Sequence, residues 1–571
     1  KKYLLTKNGY LRKYMLGRRI HYSARATITP VTDIDIDHVY LPLEMALEWL
    51  EELKEMKIDS PEERVAAAAR ATGLAREKGL MVLLNRQPSL HKHSITAAKP
   101  LFWEHRSIGL PIMLCEGFGA DFDGDTMAVY FPVQGESGEE LERMLPSFSP
   151  YRVGNGELIY SIDQDLVYGE YVRSGRKKPE VKNNVLEIVQ SSKNLPAELL
   201  EWQKKTLDAS MNSTLSISFA ELATLSGNAL EIKESGSRGK EENFKLMPVF
   251  SKGMSLEEYT GRPEAFDPML TIAGRSRAGL MDKKLHVAQA GYFTRKMVEF
   301  LYPLRISEID CETEEGIRID RADFEMFARC GVDFSRFLLG RYVKRPEDEG
   351  WRLVTRDDVK EYGDSDLIVR SPVTCRAVDG LCSKCCGLEL STMREHEIGD
   401  YIGVLAGHTI GERGTQLSMK NFQTGSSGFN MQRVSSEFFK RIRPTSDLRK
   451  SKRKEENEIE DDYVEYIKRL AERSVEDIMG VKPKEGQKGT PLLKSIDVSS
   501  IYFEILFRRM KDLSLRDESG VKEYLSSLER GFFSALSFER GRGGIEPLEG
   551  RVIAESSPKA IYALLPGEVK K

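Results

Sequence analysis

Long apolar runs are missing from this 571-residue chain. Nothing approaches the ~20 consecutive apolar residues of a membrane-spanning helix, and no signal-peptide pattern opens it. Cysteine is scarce too: the seven residues, with Cys382-Ser383-Lys384-Cys385 among them, point to metal in a reducing compartment rather than to a disulfide framework. Neither sign of charge is in excess, since 85 Lys and Arg against 89 Asp and Glu leave a net charge of −4. Bulk charge therefore gives no nucleic-acid footprint, and any such surface must be local. Two basic clusters qualify: Arg12, Lys13, Arg18, Arg19 and Arg25 near the start, and Lys440–Lys454. An initiating Met is absent as well. The chain opens Lys1-Lys2, as expected of a fragment or a processed product. The remainder is ordinary for a globular protein, 40% hydrophobic and 30% charged, with length for about three or four domain-sized units.

The densest chemistry lies in Gly117–Tyr130, which reads Gly-Phe-Gly-Ala-Asp-Phe-Asp-Gly-Asp-Thr-Met-Ala-Val-Tyr. Asp121, Asp123 and Asp125 recur at every second position, so an extended strand or tight loop turns all three carboxylates to one side. Carboxylates packed this way raise one another's pKa unless a cation lies between them, and hard divalent ions such as Mg²⁺ are the natural partners. A calcium EF-hand is excluded, because counting from Asp121 puts Thr126 and Pro132 where the loop needs Gly and Glu. Apolar flanks at Leu110–Cys115 and Met127–Phe131 place the loop at the edge of a buried sheet rather than on a solvated turn.

Other signals are local. Residues 40–80 are helical by apolar spacing, with Ser60-Pro61-Glu62-Glu63 as a helix start. Short strands near 81–84, 100–114 and 126–133, broken by Gly and Pro, suggest a compact six-stranded barrel. Residues 275–303 form one long helix of roughly 40 Å at ~1.5 Å per residue, interrupted by two glycines and lacking a clean apolar stripe. Cys311, Cys375, Cys382 and Cys385 make a set with a Cys-x₂-Cys knuckle, suited to one closed, structural Zn²⁺. Cys386 follows directly, which leaves the choice between it and Cys385 open. If the stretch after Gly414 is helical, Gln416, Met419, Lys420 and Gln423 share one face that mixes amides, a thioether and a cation, wrong for a core and apt for gripping base, sugar and phosphate.

Ala120-Asp-Phe-Asp-Gly-Asp125 resembles the catalytic metal loop of the largest (β′) subunit of multisubunit, DNA-dependent RNA polymerases. Further motifs follow in that family's order. Arg86-Gln-Pro-Ser-Leu-His91 resembles the loop lining the nucleotide site, and the stretch 275–303 is similar to the bridge helix, including Gly279-Leu280, Asp282 and Gly291-Tyr292. The cysteine spacing resembles the family's zinc site, and residues 398–425 resemble the trigger-loop region. The resemblance implies roles. Asp121, Asp123 and Asp125 would hold one Mg²⁺, a second arriving with the nucleoside triphosphate. Arg86 would reach the sugar, Arg238 in the Ser235-Gly-Ser-Arg-Gly239 turn would meet the triphosphate, and Arg19 and Arg25 would contact the template. Gln416 and Met419 would touch the nucleotide, while Lys420 and Gln423 would act on the phosphates.

The implied fold is α+β and multidomain: a double-psi β-barrel catalytic domain, a long bridge helix, a zinc-binding module and trigger-loop helices. Its expected layout is template segment and barrel over 1–149, a pore or funnel-like helical region over 150–270, and the bridge helix over 271–305. The zinc module follows over 306–395, the trigger loop over 396–445, a charged linker or shortened insertion over 446–495, and a C-terminal region over 496–571. The function implied is ribonucleotide addition to an RNA 3′ end on a DNA template, active only with a β-like subunit carrying a second barrel, and compatible with α-like and ω-like assembly subunits. An RNA-templated polymerase and a non-catalytic scaffold paralogue are the rival readings. The family's N-terminal clamp is not seen ahead of Gly9, so the chain is expected to be a reduced or N-terminally truncated form whose initiation factors dock elsewhere. The compartment expected is the cytoplasm, at the nucleoid, or the host cytoplasm for a viral source.

Overall fold

A computed structural model describes residues 21–56, 58, 60–132, 137–162, 164–177, 179–213, 216–218, 221, 227–237, 291, 294–295, 297–319, 335–362, 366–420 and 498–512. They fall into two compact units. One lies within Arg19–Arg152 and Glu157–Leu280; the other holds Val153–Gly156 and the described residues beyond Met281.

The first unit is built on a closed six-stranded barrel: β1 (Ser23–Val31), β2 (His38–Pro42), β3 (Val82–Asn85), β4 (Ile95–Trp103), β5 (Ile108–Pro111) and β6 (Thr126–Tyr130), in the order β1-β5-β2-β4-β3-β6. Alternation drives it. In β6, Met127 and Val129 are buried while Thr126, Ala128 and Tyr130 are not, the period of two that gives a strand one core face. Ile28, Val39, Leu41, Leu84, Ile108 and Leu110 meet them in the core. The pairing is mixed: β1 runs parallel to β5 and antiparallel to β6, while β2 runs parallel to β4. Gly109 lets strands close tightly, since a Cβ there would lie 2.8 Å from the Trp103 ring and 2.9 Å from both Tyr40 and Val31.

Helix α1 (Leu43–Trp49) leaves β2, and α2 (Pro61–Glu77) begins on a complete capping box, with Ser60 Oγ accepting from Glu63 N at 3.2 Å and Glu63 accepting from Ser60 N at 3.1 Å. The helical expectation for 40–80 thus needs correction at both flanks of α1. Residues 40–42 are strand, because barrel pairing to β4 outweighs helical spacing, and Glu51–Leu53 is a single 3-10 turn. After the barrel, α4 (Asp165–Arg173), α5 (Val181–Ser191) and α6 (Leu195–Asn212) pack on the same core, following a one-turn helix α3 (Cys115–Phe118) that leads into the aspartate loop.

In the second unit, β8 (Ile317–Ile319), β9 (Tyr342–Lys344), β10 (Arg352–Leu353) and β11 (Leu367–Val369) form a four-stranded sheet ordered β10-β9-β11-β8. Its core is Leu338, Val343, Val354, Tyr362, Leu367 and Val369. Strand β7 (Ile306–Glu308) pairs in parallel with β12 (Leu381–Cys382). Two helices, α7 (Ile402–Lys420) and α8 (Ser500–Asp512), pack against each other. Val153–Gly156 belongs here because Ser499 N donates to the Gly154 carbonyl at 2.7 Å and the Tyr502 hydroxyl to the Val153 carbonyl at 2.6 Å. Of the long helix expected over 275–303, residues 291, 294–295 and 297–301 are helical, and most of the rest lies outside the described residues.

Candidate metal centres

The aspartate loop joins α3 to β6. Gly119 ends α3 in the left-handed region at φ 60°, ψ 34°, and Gly124 turns the loop at φ 119°, a conformation that side chains resist. The loop is pinned from the barrel side, where Ile28 N donates to the Asp125 carbonyl at 3.0 Å. Carboxylate oxygens of Asp121, Asp123 and Asp125 then lie within 4.8 Å of one another. Partial burial raises the Asp121 pKa, and the hydrogen bond and negative charge of Asp123, with Asp125 behind it, raise it further. The loop is an exposed turn rather than a buried sheet edge, and three carboxylates gathered this closely on it are a donor set that fits a hard cation such as Mg²⁺.

Arg86 is brought to this loop by the turn after β3. Its Nε and Nη2 donate to Asp125 Oδ2 at 3.2 and 3.0 Å. The same oxygen accepts from the Asp121 backbone N–H at 3.3 Å, which aims the carboxylate. Arg25, on β1, donates to Gln87 Oε1 at 3.2 Å, beside Arg86 in sequence. Behind the turn His93 is buried, and burial holds its imidazole well below the usual range; His91 is pushed down to about 4 by burial and then by Arg152. Both are held as neutral imidazoles, and His91 Nδ1 accepts from the His93 backbone N–H at 3.1 Å, capping the turn Lys92–Ser94. Burial, then Asp121, pushes the Cys115 thiol up to about 11, which favours its protonated form.

The second centre is in the other unit. Cys311, Cys375, Cys382 and Cys385 bring their sulfurs within 4.8 Å of one another. Cys311 Sγ lies 3.7 Å from Cys385 Sγ and 3.8 Å from Cys375 Sγ. Zinc bound at about 2.3 Å to four sulfurs sets tetrahedral edges of about 3.8 Å, so the spacing fits the ion. Contacts from the thiols of Cys375, Cys382 and Cys385 pull Cys311 far below the ordinary thiol range. The ambiguity at the knuckle is removed: Cys385 belongs to the set, and Cys386 is fully buried with its thiol pushed up by desolvation. The amides of Cys382 and Cys385 donate to Cys375 Sγ and Cys382 Sγ at 3.4 and 3.3 Å.

The spacing argument missed Arg370, the last neighbour of this centre. It is 1% exposed, and its Nη2 lies 3.5, 3.6 and 3.4 Å from the sulfurs of Cys311, Cys382 and Cys385. The visible signal was a charge at the end of the apolar run Leu367-Ile-Val. Asp310 pairs with Arg370 and Lys384 at 2.7 Å each; burial alone would raise its carboxyl, but those two cations hold it at about 2.

Gln416, Met419 and Lys420 lie on α7, with only their backbone described. Arg19, Arg238 and Gln423 lie outside the described residues. Helix α7 itself crosses residues 294–304 on glycine. A Cβ at Gly403 would stand 1.9 Å from the Leu301 carbonyl oxygen, one at Gly407 3.0 Å from Val298 Cα, and one at Gly411 2.4 Å from Thr294 Oγ1. No helix among the described residues is long and apolar enough to cross a membrane.

Comparison with known proteins gives two family matches: "RNA polymerase Rpb1, domain 2" over residues 51–146 and "RNA polymerase Rpb1, domain 5" over residues 270–511. The DNA-directed RNA polymerase subunit beta' of Fusobacterium nucleatum is 25% identical over 579 residues, covering 73% of this chain and 44% of that subunit. That of Acetivibrio thermocellus is 24% identical, covering 73% of this chain and 51% of its own length. That of Alkaliphilus metalliredigens is 22% identical over 98% of this chain and 66% of its own. The chain spans about half the length of most of these relatives.

Proposed function

The chain belongs to the family of largest, β′, subunits of multisubunit RNA polymerases, and from that membership we propose that it supplies the magnesium-holding half of a DNA-templated RNA polymerase active site. The observation that carries this reading is the convergence of Asp121, Asp123 and Asp125 at the mouth of the barrel, with Arg86 clamped on Asp125. These aspartates would hold the ion. Bound there, magnesium would supply Lewis acidity toward the RNA 3′-hydroxyl, and a second ion brought by the triphosphate would supply charge to the pyrophosphate oxygens.

The chain's own side chains position the reactants. Arg86 orients Asp125 and offers its remaining N–H groups to the sugar hydroxyls of the incoming ribonucleotide. Arg25, with Arg19, grips template phosphates. Gln416 and Met419 meet base and sugar, and Lys420 and Arg238 meet the phosphates by charge. Gln423 cannot titrate, so it donates a hydrogen bond rather than a proton, and catalysis proceeds by closure and positioning. Cys311, Cys375, Cys382 and Cys385 would hold one structural zinc, closed by four thiolates and therefore without a position for substrate.

The barrel is read as double-psi, the helical stretch ending near 303 as the bridge helix, and α7 as the base of the trigger loop. The partners implied are a β-like subunit with the facing barrel, α-like and ω-like assembly subunits, DNA template and RNA product, in the cytoplasm. Templated extension by the assembled complex tests the reading. Ribonucleotide addition on a primed DNA template supports it, and extension confined to an RNA template overturns it.

A further inference from the structure

A zinc ion held by four thiolates carries a net charge of −2, and burying such a centre costs heavily unless a counter-charge is buried with it. Backbone amides offset part of that charge, but each reaches a single sulfur: Cys382 N to Cys375, Cys385 N to Cys382, and Arg376 N to Cys311 at 3.4 Å. Arg370 is different. One guanidinium nitrogen faces three of the four sulfurs at 3.4 to 3.6 Å, on a side chain that is 1% exposed. The same Nη2 pairs with Asp310 Oδ1 at 2.7 Å, but Lys384 holds the other oxygen of that carboxylate at 2.7 Å, so the two cations and one anion leave a net positive charge beside the sulfurs. Nor is the side chain free to leave. The Trp351 ring stands 5.6 Å from its guanidinium carbon, and its carbonyl accepts from Arg341 Nη2 at 2.6 Å. Arg341 is itself forked onto Glu504 of α8 at 2.9 and 2.7 Å, so the backbone that carries Arg370 is anchored by a buried ion pair.

We propose that Arg370 is the buried counter-charge that retains zinc in the Cys311, Cys375, Cys382 and Cys385 centre. It acts through the thiolates, as a positioning and charge-compensating residue beyond the ligands, and the inference rests on the zinc reading given above. Lysine keeps the charge but not the planar fork, and glutamine keeps neither, so a counter-charge is missed less in Arg370→Lys than in Arg370→Gln, whereas a merely structural fork is missed in both.

The experiment measures zinc release from the full chain, in its purified complex, into the chromogenic chelator 4-(2-pyridylazo)resorcinol, after metal analysis of the unsubstituted protein. One zinc per chain is expected; absence of zinc would overturn the metal reading itself. With zinc present, Arg370→Gln is expected to release it about tenfold faster or more, the range for lost partners of metal ligands, and Arg370→Lys to stay within about threefold of the unsubstituted chain. Release from Arg370→Gln at the unsubstituted rate, or from Arg370→Lys as fast as from Arg370→Gln, overturns the counter-charge while leaving the zinc site standing. Should Arg370→Gln not fold, the lysine variant decides alone: release more than about threefold faster than the unsubstituted chain overturns the proposal.

Discussion

At the scale of single residues, the aspartate loop makes two predictions. Gly119 sits in the left-handed region, where Asn is the best tolerated side-chain-bearing residue, and a Cβ there would come no closer than 3.9 Å, to Arg86 Nη1. The resemblance of the loop to that of β′ subunits implies an Asn at this position in that family, an amide able to meet the ribose 2′-hydroxyl. Gly119→Asn should therefore fold and strengthen the preference for ribo- over deoxynucleotides by about tenfold, the worth of one hydrogen bond of ~1.4 kcal/mol. The ratio of kcat/KM values for the two substrates checks it, and unchanged selectivity would contradict it. The second prediction follows from the raised Asp121 pKa, caused by burial and by Asp123 and Asp125. A carboxyl whose folded value stands above its unfolded 3.8 favours the fold at acid pH and loses that contribution as pH rises through the raised value. The metal-free chain should thus gain thermal stability from Asp121→Asn at about pH 7 and gain little at about pH 3, where both states carry the proton. Adding Mg²⁺ near neutrality should raise the Tm of the native loop and leave that of the variant in place. Scanning fluorimetry at the two pH values measures both, and a Tm indifferent to Mg²⁺ with the native loop would sink the idea.

Between residue and element lies what could be read in advance. The grouping of Asp121, Asp123 and Asp125 was legible from their close spacing, although a turn at Phe122–Gly124 rather than an extended strand gathers them, and the capping box at Ser60 and Glu63 was legible because it is local. Residues 40–42 were not, since helical spacing says nothing of a partner strand some 60 residues away in β4. The barrel was visible as strands, while its order depends on parallel crossovers that periodicity does not record. Arg370 escaped for the same reason: it meets Cys311 only after a loop of 59 residues closes.

At the scale of elements, the crossing of α7 over residues 294–304 depends on absent side chains. Gly403→Ala places a methyl 1.9 Å from the Leu301 carbonyl oxygen, so the helices must part, at a cost of roughly 1–3 kcal/mol by overpacking. Gly73 in α2 has nothing within 4 Å of its would-be Cβ, and Gly73→Ala should instead stabilise α2 by up to ~1 kcal/mol through helix propensity. Hydrogen exchange in 402–412 and in 61–77 separates the two effects. Unchanged exchange in 402–412 for Gly403→Ala would show that the helices do not rely on this contact.

At the scale of the whole molecule, the aspartate loop and the cysteine centre lie in different units, and the roles proposed for them differ accordingly, chemical for the first and structural for the second. The chain spans about half the length of most of the relatives described, and the catalytic role proposed for it includes, as part of the same proposal, a partner barrel. The most direct test of that role is the rate of primed RNA extension by the complex assembled with Asp123→Ala, beside the same complex with the native loop. Removing one of three shared ligands should cut the rate at saturating Mg²⁺ at least about a thousandfold, ~4 kcal/mol of transition-state stabilisation, with subunit assembly intact. Extension by the intact variant complex at a near-native rate would contradict the assignment of catalysis to this loop.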